Sequence, residues 1–158
     1  MEEFRLRTYP QRILRKKCES VEKVTEREKI MLRQMLAAMR RFAGIGLAAP
    51  QVGIGEQMLV AEAGARVVKL INPRILQVQG ADRMEEGCLS VPGAQVEIER
   101  AYRVRVRGVD ERGDTREIHA SGLLARVLQH EIDHLHGRLI VDYWPLWSRL
   151  KFRMGNVK

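Results

Sequence analysis

Hydrophobic positions along the chain fall into three regimes, and each predicts a different kind of element. Leu32, Met35, Leu36, Met39 and Phe42 recur three and four residues apart, which sets them in one stripe along an α-helix. Thr25, with Glu28 three positions on, supplies a capping box for its start, and Gly44 is the expected left-handed stop. The methionines of the stripe read as packing residues rather than ligands.

The middle of the chain changes period. Met58-Leu59-Val60, Val67 to Ile71, Ile75 to Val78 and Val96 to Ile98 are short apolar runs broken by Gly and Pro, and they predict separate strands. Tyr102, Val104 and Val106 alternate with Arg103, Arg105 and Arg107, the pattern of a strand with one buried face and one wet, basic face. Glu111-Arg112-Gly113-Asp114 provides turn chemistry, so Thr115 to His119 should return as the second arm of a hairpin. The arginine row is a candidate phosphate-binding stripe, although no aromatic residues interleave it as base stacking would require.

A second helix should begin after Ser121 and run through Leu123, Leu124, Val127, Leu128, Ile132 and Leu135 to Gly137. Its apolar residues cover more than one side, which marks a buried helix, yet it also carries His130, Glu131, Asp133 and His134. Buried polar groups need partners, so a side-chain network or a metal must satisfy them. His130 and His134 stand one turn apart on the same face, the spacing that two ligands of one ion require, and Glu131 is placed to reach a water on that ion. A third ligand must lie upstream or be Asp142, because Ile140 occupies the position where a metzincin would have histidine and Asp142 is the only acidic residue after His134. Cys88 follows Gly87, whose backbone freedom could aim a thiolate inward, whereas Cys18 lies in a basic, polar run.

Composition narrows the setting. The 158 residues suit one domain spanning 1–158, with no repeat or linker and a basic tail from about 146. Twenty-eight Lys and Arg against 20 Asp and Glu give a formal charge of +8, which favours anionic partners such as RNA; no dedicated DNA binding is expected. Two cysteines are too few for a disulfide framework, although a single Cys18–Cys88 bridge stays open. The N-terminus carries no signal-like apolar segment and no run approaches the ~20 residues of a membrane span. The expectation is a cytoplasmic protein with no membrane partner.

Three stretches taken together resemble the signature motifs of the peptide deformylase family, in that family's order: Gly44-Ile45-Gly46-Leu47-Ala48-Ala49-Pro50-Gln51, Glu86-Gly87-Cys88-Leu89-Ser90, and Gln129-His130-Glu131-Ile132-Asp133-His134-Leu135-His136-Gly137. The resemblance extends over nearly the whole chain. With no long insertion between Asn72 and Glu86 it points to the shorter, bacterial class. Gln11-Arg12 after Pro10, where the family often has a second proline, touches only the N-terminal turn.

The resemblance implies an α+β fold in which antiparallel β-sheets surround a central metal-binding helix. It implies that Cys88, His130 and His134 hold one divalent metal ion, Fe2+ first and Zn2+, Ni2+ or Co2+ as alternatives, with water at the open position. Glu131 would be general base and then acid as that water attacks the formyl group of an N-terminal formyl-Met on a nascent polypeptide, releasing formate. The Gln51 side chain and the Leu89 backbone N–H would stabilise the oxyanion. Backbone groups of Gly44 and Gly46 would pair with the peptide, and Ile45, Met84, Leu123 and Val127 would line the methionine pocket. Asp133 would be structural. Ribosome contact through the basic surface or tail is a further expectation. Gly44-Ile45-Gly46 with Ala49 also imitates a dinucleotide fingerprint, but it follows a helix and runs into Pro50. A peptidase on the same metal site and a non-enzymatic ribosomal factor are the competing readings.

Overall fold

Helix α1 (Glu26–Arg41) starts where the pattern places it. The Thr25 hydroxyl accepts from the Arg27 N–H at 3.2 Å while the Thr25 N–H donates to Glu28 at 2.7 Å, closing the capping box. Its end differs from the expectation. The left-handed residue is Ala43, at φ +57°, and Gly44 lies one position further, its N–H bonded to the Met39 carbonyl. Gly44 is packed closely for another reason: a methyl group there would come within 2.6 Å of Leu89 Cδ1 and displace that side chain.

The computed structural model describes residues 3–155. Five strands form an antiparallel sheet in the order β1 (Gly46–Ala48), β2 (Met58–Ala63), β3 (Arg66–Gln79), β6 (Arg103–Val109) and β7 (Thr115–Ser121). A separate hairpin pairs β4 (Asp82–Glu86) with β5 (Val96–Arg100). The two runs expected around Pro73 are one strand, β3. Register shifts between Ile71 and Arg74 and between Ile75 and Gln77 carry the chain past the proline without a ladder bond, and Asn72, at φ +51°, turns its amide to both backbone groups of Val21. Tyr102 lies exposed just ahead of β6 rather than on its buried face.

The continuous apolar run of β2 is explained by burial on both faces. Met58 and Val60 pack with Leu32, Met35 and Met39 of α1, whereas Leu59 and Ala61 pack with Leu124, Leu128 and Ile132 of α2 (Gly122–Leu135). The opposite side of α2 meets the hairpin, where Arg126 donates to the Ile98 and Asp82 carbonyls at 3.0 and 2.7 Å. The central helix between antiparallel sheets is therefore present. Ser121 occupies the N-cap position of α2 without a side-chain bond, and Gly137, at φ +74°, ends it against the Arg15 backbone. The tail from 146 folds as α3 (Leu146–Gly155), with Phe152 against Tyr9 and Trp144. Among the described residues no helix is long and apolar enough to cross a membrane.

Thr25→Ala removes an acceptor for the first turn of α1, and we expect it to lower the unfolding free energy by about 1 kcal/mol in urea titrations.

Candidate functional site

Helix α2 presents His130 and His134 one turn apart, their ring centroids separated by 5.0 Å. The loop after β4 brings Cys88 to them. The ligand atoms of these three residues all lie within 4.8 Å of one another, with Cys88 Sγ 3.3 Å from His134 Nε2. Of the upstream alternatives, Cys18 is packed beside α2, where burial pushes its thiol up to about 11. Asp142 is held by Arg15 at 2.6 Å. Both cysteines are free, so no bridge joins them. One thiolate and two imidazoles fit a divalent ion of the zinc, iron, cobalt or nickel kind, and three protein donors leave a coordination position open.

Gly87 is not in the left-handed region; its closest neighbour is the Gln95 amide, which a methyl group would approach to 3.1 Å. What aims the site is the residue before it. Glu86, with a side chain only 7 % exposed, meets His130 Nδ1 at 3.2 Å, accepts from Arg100 Nε at 2.8 Å and faces Arg126 at 3.4 Å. Arg100 continues to Asp133 at 3.0 Å, which also accepts from the Tyr143 hydroxyl at 2.6 Å. Asp133 thus faces away from the ligands, as its position on the helix predicts. Burial works against the Glu86 charge, yet His130 and Arg100 hold its carboxyl below the usual range. Burial also opposes a proton on His130, but hydrogen bonds to Cys88 and Glu86 outweigh it and raise that imidazole well above its ordinary value. His134 is the reverse: burial and the charge of His130 keep it neutral, as a ligand must be.

Glu131 is buried, and its Oε2 has no hydrogen-bond partner among the described residues. Burial raises its carboxyl to about 7, although His130 and Arg100 pull the other way. Strand β1 lies directly on it: a methyl group at Gly46 would collide with Glu131 Oε1 and come within 2.7 Å of Val127 Cγ1. Gln51 is fixed at both ends, its Oε1 accepting from the Ala48 N–H at 2.8 Å and its Nε2 donating to Ser90 Oγ at 3.1 Å, 3.8 Å from Cys88 Sγ. The Leu89 N–H has no hydrogen-bond partner among the described residues. A groove of about 550 Å³ opens over these groups, lined by Gly44, Ile45, Gly46, Met84, Leu123 and Val127 together with Gln51, Cys88, Leu89, His130 and Glu131. Ile45, Met84 and Leu123 are 48, 44 and 49 % exposed, an apolar rim of the kind that marks a ligand groove.

Sequence reasoning missed Glu86, Arg100, Arg126, Tyr143 and Ser90. A signal existed for two of them: Arg100 sits in register with buried Val96 and Ile98, and Arg126 lies within the apolar run of α2.

An open Cys-His-His set beside a buried carboxylate, at the floor of an apolar groove, is the arrangement of a mononuclear metal-dependent hydrolase. Comparison with known proteins agrees. The polypeptide deformylase family profile matches residues 4–149. A peptide deformylase of Clostridium botulinum is 44 % identical over 137 residues, covering 87 % of this chain and 93 % of that protein. The crystal structure of the Thermotoga maritima peptide deformylase superposes with a TM-score of 0.88 at 41 % identity, covering 92 % of this chain and 99 % of that one. That of the Synechococcus elongatus enzyme in complex with actinonin gives 0.88 at 40 % identity, covering 94 % and 82 %. The chain belongs to the polypeptide deformylase family.

Two outcomes follow from the charges. Glu86→Ala removes the carboxylate shared by His130, Arg100 and Arg126, leaving Arg100 with Asp133 and Arg126 with backbone acceptors, so urea unfolding should show a loss of ~3 kcal/mol. A carboxyl raised in the fold holds its proton more tightly than in the unfolded chain, so its stabilising share is complete below about 4.5 and is lost as pH rises to about 7. Metal-free Glu131→Gln should therefore gain thermal stability over the parent between pH 4.5 and 7, by up to ~3 kcal/mol.

Proposed function

We propose that Cys88, His130 and His134 hold one divalent metal ion, and that with Glu131 they remove the N-formyl group from the N-terminal methionine of nascent polypeptides, releasing formate and a free amine. The observation that carries this reading is the buried, unpartnered Glu131 carboxylate beside the Cys-His-His set at the floor of the groove. When bound, the ion polarises the formyl oxygen and lowers the pKa of the attacking water. Fe2+ suits a mixed thiolate and imidazole set, as do Zn2+, Ni2+ and Co2+.

Glu131 takes the proton of the attacking water and returns it to the leaving nitrogen, two transfers for which a carboxyl near 7 is well matched. Gln51 Nε2 and the Leu89 N–H are the donors for the oxygen that becomes negative. The Gln51 amide is held in place by Ala48 and Ser90 before the reaction, so it need not reorganise. The peptide lies along β1, a sheet edge, and pairs with backbone groups of Gly44 and Gly46. Ile45, Met84, Leu123 and Val127 enclose the methionine side chain. The reading places the protein in the cytoplasm, with the ribosome as a partner through its basic surface or α3, which carries Arg149, Lys151 and Arg153.

Formate release from formyl-Met peptides by anaerobically purified, metal-replete protein tests the reading. Glu131→Ala should keep its metal and lose turnover by a factor of at least ~10², and chelation of the parent should abolish release. Cleavage of unformylated peptides at comparable rates would instead make the protein a peptidase.

A further inference from the structure

We propose that the outer face of strands β3, β6 and β7 binds the phosphodiester backbone of RNA. Three ladder rows compose this face: Arg74, Arg107 and Glu117; Gln77, Arg105 and His119; Gln79, Arg103 and Ser121. Val104 and Val106 point inward between them, so the arginines stand on one side of the sheet. Four guanidiniums face one carboxylate.

The pairing leaves most of that charge uncompensated. Glu117 is shared between Arg105, at 3.2 Å, and Arg107, at 3.5 Å. Arg74 and Arg103 have no ionic partner among the described residues. Arg74 lies directly opposite Arg107 in the ladder, and like charges in that position weaken a sheet. An anion laid across the row relieves that repulsion. A shallow groove of about 350 Å³ runs past Gln77, Gln79, Arg103, Arg105, His119 and Ser121, so amides and a hydroxyl stand among the cations.

The spacing selects a chain rather than a lone phosphate. Alternate residues of a strand are ~6.8 Å apart, commensurate with successive phosphates of an extended nucleic-acid strand. These rows hold no Phe, Tyr or Trp, and His119 is their one ring, so contact to the backbone dominates over base stacking. Gln77, Gln79 and Ser121 can donate to and accept from a 2′-hydroxyl, which favours RNA over DNA. None of these residues lines the groove over the metal ligands. The inference deepens the reading above by naming its anionic partner, but binding needs no turnover, so the two fail separately.

Fluorescence anisotropy of a labelled RNA hairpin with a single-stranded extension, titrated with metal-loaded full-length protein at several salt concentrations, tests it. Arg74→Glu with Arg103→Glu should weaken binding at least ~10-fold at low salt and reduce the slope of log affinity on log salt by about 1.5, with formyl-peptide hydrolysis unchanged. Arg74→Gln with Arg103→Gln serves the same readout should charge reversal unfold the sheet. Lys151→Glu with Arg153→Glu, a charge-matched change in α3, should weaken binding far less. Unchanged affinity in the sheet variants, an equal loss in the α3 variant, DNA of the same sequence bound as tightly, or polyglutamate or anionic phospholipid vesicles competing as well as RNA would each overturn the proposal.

Discussion

The contact between Glu86 and the cations around it is the interaction on which the site depends. A helix buried on both sides carries four ionisable residues in five positions here, and two of them, His130 and Asp133, are answered by charged groups of a neighbouring element. Glu86 answers His130, Arg100 joins Glu86 to Asp133, and Arg126 ties α2 to the backbone of the hairpin. The network fixes the ring of His130 through Nδ1, the nitrogen that meets Glu86. It also couples the two sheets, since Glu86 and Arg100 belong to the hairpin while α2 packs its other side on the main sheet.

The site is assembled from three chain segments that differ in kind. Regular helix supplies the imidazoles and Glu131, a loop supplies the sulfur, and an edge strand with its following turn supplies Gln51. Their mutual positions rest on close approach. Gly46 has no room for a side chain between Glu131 and Val127, and a side chain at Gly44 would have to displace Leu89. These glycines are needed for space rather than for unusual dihedral angles.

The elements whose evidence is periodic were legible in the sequence. The stripe of α1, the alternation of β6 and the helix spacing of His130 and His134 each set a face, and faces are what patterns encode. Pairing across long separations was not legible from pattern alone. The glycine before Cys88 favours it over Cys18, but only the motif shared with a family singles it out as the candidate third ligand, because nothing local relates residue 88 to residue 134. Strand β3 was split at Pro73 because a bulge that carries a proline through a sheet leaves no mark in composition. The Glu86 network was missed for a related reason. Arg100 occupies a buried position in an alternating strand, where a charged residue reads as a break in the pattern until its partner is known.

The two thiols of this chain occupy opposite chemical situations. Cys18 is buried in the core, and its elevated pKa keeps it protonated at neutral pH. Cys88 lines the groove beside His130 and His134, with which it could hold an ion. An alkylating reagent applied to the folded protein therefore has a single effective target, and that target is masked whenever its sulfur is ligated. The uptake of one label per chain becomes a direct gauge of ion occupancy, obtained without a substrate.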